Sequence, residues 1–175
     1  MRPRMTDFES LYRKYAPDLY RFALYLSGHH AEAEDLASET FVRAWNSPEA
    51  IRAATAKAYL FTILRNLFLN QHAKKAKQTL LDESSLPDPA ATPFKAAEQQ
   101  DQLNWTLAAL QRLPEIDRTV LLLRVQEELS YQEIADTVGL SLSAVKVKIH
   151  RARLKLTQML SQDEKNYENY QECSQ

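Results

Sequence analysis

The chain is poor in the residues that build sheets, disulfides, metal centres and membrane spans. Only two glycines occur in 175 residues, β-branched runs are few and no segment alternates apolar and polar residues with period two. Hairpins and sheets are therefore not expected. A single cysteine, Cys173, cannot form an internal disulfide, and no CxxC or clustered His/Cys spacing suggests zinc. His29 and His30 are neighbours that would point in different directions on a helix, which reads as a solvated pair. The apolar run TVLLL at 119–123 is far short of the ~20 residues that a bilayer requires, and MRPRMTDFES at the start has no apolar stretch after its two arginines. These absences predict a soluble, cytoplasmic protein with no membrane insertion. HExxH and a Gly-rich phosphate loop are missing as well, and the serines fall in caps and connectors. No catalysis, cofactor or small-molecule substrate is expected.

What is present is helical in its spacing. Apolar residues make up 45% of the chain and recur at intervals of three and four, enough to build a core in an all-α fold. The net charge of -1 hides an alternation. Residues 1–77 carry twelve basic and eight acidic groups, 78–100 one and four, 101–160 eight and seven, and 161–175 one and four. Basic faces separated by acidic connectors suit modules that meet a polyanion or a large partner.

Residues 78–95, QTLLDESSLPDPAATPFK, hold Pro87, Pro89 and Pro93 among Asp, Ser, Ala and Thr, and are read as a flexible linker. The linker divides two small helical domains, 1–77 and 96–160, with an acidic, partly disordered tail at 161–175. Few large apolar residues in the linker predict that the two domains tumble independently. In the first domain Phe8, Leu11, Tyr12, Tyr15, Leu19, Phe22 and Leu26 follow helical spacing, with Pro17 marking a break or restart. AEAEDLASETFVRAW supplies a second helix, with Leu36, Ala37, Thr40, Phe41 and Ala44 on one face. KAYLFTILRNLFLNQHAKKAK supplies a third, expected to bury Leu60, Ile63, Leu64 and Leu67. On its other side Tyr59, Thr62, Asn66 and Asn70 line up at spacings of three, four and four, followed by Lys74, Lys75 and Lys77 where a helix dipole would favour cations. In the second domain Leu103, Leu107 and Leu110 mark a helix, and Pro114 opens the next, which runs through Val120, Leu121 and Leu123.

LSYQEIADTVGLSLSAVKVKIHRARLKL, 129–156, is the most informative stretch. Ser130 and Glu133 have the spacing of a capping box, Leu129 and Ile134 that of a hydrophobic staple, and Gly139 supplies a left-handed stop. Ser141 can cap a new helix after a turn of about three residues, the length of a helix-turn-helix, and Ala135 is small enough for the two helices to cross closely. Val145, Ile149, Ala152 and Leu156 form a buried stripe on the second helix. Facing away are Ser143, Lys146, Val147, His150 and Arg151, flanked by Lys148, Arg153 and Lys155, without one carboxylate. Such a face can lie in a DNA major groove, cations on phosphates and N-terminal side chains on base edges.

Together these segments resemble the extracytoplasmic-function sigma factors, which consist of two helical domains, region 2 and region 4. Residues 129–156 look like the region 4 helix-turn-helix, and LPEIDRTVLLLRVQEE is similar to the helix before it. AEDLASETFVRAW resembles the region 2 helix that binds the clamp of RNA polymerase, and AYLFTILRNLFLNQ the helix that engages the minus-ten strand. The resemblance implies that Asp35, Leu36, Glu39 and Phe41 meet core RNA polymerase. It implies that Tyr59, Ile63, Asn66 and Asn70, with the loop NSPEAIRAATAK, meet the minus-ten element of promoter DNA, where capture of an unstacked base drives opening without nucleotide hydrolysis. Ser143, Ala144, Lys146, Val147, Lys148, His150 and Arg151 would meet the minus-thirty-five element. An anti-sigma factor is implied as a further partner. The chain departs from the family pattern at Ser38, where glutamine is usual, and at Asn70, where aspartate is common. Ala144, Val147 and Lys148 stand for a common threonine, serine and arginine. Lysine lacks arginine's fork, and valine offers only apolar contact, for instance to a thymine methyl. A conventional helix-turn-helix regulator is the alternative; it accounts for 129–156 but gives no reason for the stripe at Tyr59, Asn66 and Asn70.

Overall fold

The computed structural model describes residues 5–46, 55–81 and 98–172. Among the described residues there are seven helices and no strand. They are α1 (Met5–Ser27), α2 (His30–Asn46), α3 (Ala56–Leu81), α4 (Glu98–Gln111), α5 (Glu115–Val125), α6 (Tyr131–Val138) and α7 (Leu142–Glu172). Side chains of 5–7, 79–81, 98–102 and 163–172 are not described.

Helices α1, α2 and α3 pack around Leu19, Phe22, Leu26, Leu36, Leu60, Phe61 and Leu64. Phe22 and Phe61 meet edge to face at 5.0 Å. Ile63, expected with the buried set, is only half-buried, while Phe61 and Phe68 are buried instead. Pro17 does not break α1. It sits on the exposed side of the helix, so the carbonyl one turn back that loses its donor stays open to water. Gly28 makes the corner into α2 with φ 80°, and the Ser27 hydroxyl donates to the Ala23 carbonyl at 2.8 Å. His30 begins α2, and its Nδ1 lies 2.8 Å from the Tyr20 hydroxyl, while His29 is exposed.

Two expected boundaries shift. α3 continues to Leu81, past residue 78, so Lys74, Lys75 and Lys77 are not in its last turn. Lys75 instead reaches the Glu32 carboxylate on α2 at 3.2 Å, beside His72 at 2.9 Å. The remaining linker residues, 82–95, lie outside the described residues. α7 continues through the acidic segment to Glu172, so the expected disorder of the tail is not found over 161–172.

The expected independence of the two halves is also overturned. α4, α5 and α6 pack on α1 and α3, and one contiguous apolar cluster runs from Leu19 to Ala152. Its rim is closed by polar contacts between residues far apart in the chain. Arg65 Nε lies 3.2 Å from Glu115 Oε1, and the Thr55 hydroxyl donates to Glu133 at 2.8 Å. Lys57 donates to the Glu127 carbonyl at 2.7 Å, and Gln111 donates to the Tyr25 carbonyl at 3.0 Å. The docking is made by the folded faces, so the composition of the linker does not decide it.

Candidate nucleic-acid and polymerase interfaces

In the C-terminal half the local chemistry of the helix-turn-helix is formed as its residues dictate. The Ser130 hydroxyl accepts from Glu133 N at 3.2 Å, and Glu133 Oε2 accepts from Ser130 N at 2.9 Å. These donors, Ser130's backbone first and then Thr55 and the Ser130 hydroxyl, hold the Glu133 carboxyl below the usual carboxylate range. Leu129 and Ile134 are both buried. α6 stops at Gly139 with φ 70° and ψ 36°, a left-handed turn that costs an L side chain strain. The Ser141 hydroxyl then accepts from Ala144 N at 3.2 Å and starts α7.

Val145, Ile149 and Ala152 seat α7 on α5 and α6, with Leu156 half-buried beyond them. Ser143, Lys146, Val147, His150 and Arg151 are exposed, and Ala144 is half-buried. Lys146 lies 5.6 Å from the Tyr131 ring, whose other cationic neighbour is Arg124 at 4.7 Å. Lys148 differs from the rest of the expected set: its ammonium donates to Asp117 on α5 at 2.9 Å. It braces α7 against α5, and its charge is already met. Among the remaining exposed residues of α7, cations face solvent without an acidic neighbour on the same helix until Asp163.

The N-terminal half carries a trough between α2 and α3. One end is lined by Asp35, Ser38, Glu39, Val42 and Arg43 from α2, with Leu67, Asn70, Gln71 and Lys74 from α3. The other is lined by Arg43, Asn46, Tyr59, Ile63 and Asn66. Arg43, held to Glu39 at 3.0 Å, lines both. The structure thus places Asp35 and Glu39 on the surface but puts Leu36 and Phe41 in the core. Those two pack α2 against its neighbours and have almost no surface to offer a partner. Val42, 53% exposed, stands where an apolar contact on this face would be made. Its spacing of seven from Asp35 and three from Glu39 was the available signal.

The polar stripe on α3 divides. Tyr59, Ile63 and Asn66 face the inner end of the trough, and Asn70 faces the acidic end together with Asp35. Thr62 leaves the stripe altogether: its hydroxyl donates to the Ala58 carbonyl at 2.8 Å and lies 3.3 Å from the Thr137 hydroxyl of α6. The loop 47–54 lies outside the described residues. No cluster of metal-ligating residues occurs among the described residues.

Comparison with known proteins places both halves. Residues 11–78 match the family model described as Sigma-70 region 2, and residues 103–156 match Sigma-70, region 4. The chain is 35% identical over 158 residues to the RNA polymerase sigma factor YlaC of Bacillus subtilis, covering 86% of this chain and 90% of that protein. It is 34% identical over 148 residues to the ECF RNA polymerase sigma factor SigL of Mycobacterium tuberculosis, covering 82% of each. In structure it resembles the sigma factor RpoE of Bartonella quintana, solved with the anti-sigma factor NepR, at a TM-score of 0.77 and 28% identity, covering 90% of this chain and 98% of the other.

Proposed function

The chain belongs to the extracytoplasmic-function sigma factors of bacterial RNA polymerase, and on that premise we propose how its surfaces divide the work of promoter selection. It binds core RNA polymerase, directs it to promoters and assists their opening. Catalysis stays with the polymerase, and the protein works in the cytoplasm beside it. No helix among the described residues is long and apolar enough to cross a membrane. A conventional helix-turn-helix regulator would leave residues 11–78 without a role.

The trough between α2 and α3 carries the assignment. At its outer end the carboxylates of Asp35 and Glu39, with Val42 between α2 turns, suit a basic and apolar surface such as a polymerase clamp. At its inner end Tyr59 offers a stacking face, and Asn66 and Asn46 offer hydrogen bonds to a base withdrawn from the duplex. Stacking is worth about 1–3 kcal/mol per base and each hydrogen bond about 1 kcal/mol net, together comparable to the few kcal/mol that unstacking one base costs. Region 2 then corresponds to residues 1–77 and region 4 to 96–160, with α7 presenting Ser143, Lys146, Val147, His150 and Arg151 to the minus-thirty-five element. Ala144 and Lys148 support that helix from its sides. An anti-sigma factor that clasps both regions is the expected regulator, supported by the likeness to RpoE as solved with NepR.

Co-purification with bacterial core RNA polymerase tests the reading. The native chain should be retained, and the double change Asp35→Arg, Glu39→Arg should be lost while keeping its helical circular dichroism. Retention of the double variant at native levels would remove the carboxylates from the polymerase surface.

A further inference from the structure

The exposed side of α7 has an order that a uniformly basic helix lacks. At 100° per residue, Ser143, Val147, His150 and Leu154 fall on one stripe, opposite the buried Val145, Ile149, Ala152 and Leu156. Lys146 and Arg153 run along one side of the exposed stripe, and Arg151 and Lys155 along the other. The helix therefore has a keel without lysine, arginine or carboxylate between two rows of cations. A helix with its side chains is about 10–12 Å wide and the B-DNA major groove is about 12 Å wide, so the keel would face the base edges while the rows face the two phosphate backbones.

Within the keel, the side chains differ in what they have free. The Ser143 hydroxyl is 3.2 Å from that of Ser141, inside the cap of the helix. Lys148, which stands off the keel on the flank of the helix, is withdrawn to Asp117. Leu154 lies two turns further on, about 10 Å along the axis, beyond the N-terminal turns that reach base edges when a recognition helix docks. Val147 is 48% exposed in the second turn. It has no hydrogen-bonding group and cannot reward a donor or acceptor. One base presents an apolar group in the major groove, thymine through its 5-methyl.

We propose that Val147 is a specificity-determining residue of this sigma factor and that it reads the methyl group of a thymine in the upstream promoter element. The proposal rests on the sigma-factor reading of α7. It predicts discrimination by removal of one methyl from water, which corresponds to about a fourfold change in affinity.

The test uses holoenzyme assembled from the full chain and bacterial core RNA polymerase. Duplexes randomised over both promoter elements are selected by binding, and each thymine of the recovered upstream element is then replaced singly by uracil, which deletes the methyl and nothing else. One position should lose about fourfold in affinity with the native chain and nothing with Val147→Ala, a change on an exposed helix position that leaves the core untouched. Selection of a defined upstream element that is indifferent to uracil at every thymine, or equal uracil sensitivity in Val147→Ala, overturns the proposal and leaves the sigma-factor reading intact. Recovery of no sequence above the random pool by a correctly assembled holoenzyme overturns the promoter reading of α7 and this proposal with it.

Discussion

Glu127 lies in the connection between α5 and α6 with its side chain 0% exposed, against the start of α3. Its close cation is Lys57, whose ammonium is 3.1 Å from Oε2 but directs its hydrogen bond to the Glu127 carbonyl at 2.7 Å. Burial pushes the Glu127 carboxyl above its usual value, and Lys57 pulls it back by less; Asp18 and Arg21 on α1 add smaller, opposite contributions. A carboxyl raised in the folded state favours folding fully below its unfolded value and loses that contribution as pH rises through the folded one. Once ionised, the group is thus a cost that Lys57 limits. Lys57→Ala strands the charge. Loss of one partner from a buried pair costs about 3–5 kcal/mol, and the lower end applies because the Lys57 side chain keeps 27% of its exposure. About 3 kcal/mol is roughly a 150-fold change in the ratio of docked to separated halves. In a Glu127→Gln background the same change removes only a hydrogen bond, about 1 kcal/mol. The coupling should therefore be about 2 kcal/mol. Small-angle scattering through a urea titration, at pH 7, reads the expansion midpoint of the four proteins of the cycle. Glu127→Gln alone should be at least as firmly docked as the native chain, with a flatter dependence between pH 4 and 7. Equal midpoint shifts for Lys57→Ala in both backgrounds would refute the argument.

Four further outcomes follow from the local geometry. Ser130→Ala should lower stability to urea by about 1 kcal/mol by opening the capping box. Because Glu133 is held low, its contribution is complete above the ordinary carboxylate value and is lost as pH falls through the lowered one, so urea melts of Glu133→Gln and the native chain should differ at pH 7 and draw together as the pH is lowered below the carboxylate range. Gly139→Ala meets no atom within 4 Å of its new Cβ, so its cost should be the left-handed backbone alone, about 1 kcal/mol, seen as a fall of roughly 2–4 °C in Tm. Asn66→Ala should leave duplex binding by the holoenzyme unchanged and reduce opening, read by 2-aminopurine fluorescence in the minus-ten element; unchanged opening would remove Asn66 from that role.

What the sequence made legible is what depends on neighbours in the chain. The caps at Ser130 and Ser141, the stop at Gly139 and the buried stripe of α7 each depend on neighbouring residues no more than four apart, and each is found. The docking of the halves was illegible for the converse reason. Its contacts join residues 50 to 86 apart, such as Arg65 with Glu115 and Gln111 with Tyr25, and such pairs leave no period in a sequence. The same cause hid the fate of Thr62 and Lys148. Their spacing put them on functional faces, but Thr137 and Asp117, contributed by other helices, decide where their polar groups go. Leu36 and Phe41 were placed at a surface by resemblance to a whole segment, whereas burial is settled residue by residue.

The polar rim of the docked halves fits what a sigma factor must do afterwards. A compact chain of 175 residues has a radius of gyration near 16 Å, and its longest described helix, α7 with 31 residues, spans about 46 Å. Promoter elements centred about 25 base pairs apart lie roughly 85 Å apart along B-DNA at 3.4 Å per step. The docked form cannot touch both. The 16 residues between Leu81 and Glu98 can extend to at most about 55 Å, which with the width of each half is sufficient for the separated form. Separation must then be affordable at the interface. Thr55 with Glu133, Arg65 with Glu115 and Gln111 with the Tyr25 carbonyl all have partners that water can replace, and each such bond contributes only about 1 kcal/mol net. An interface closed by large aromatic side chains would hold the halves together more firmly and would oppose the extension that reading two elements at once demands.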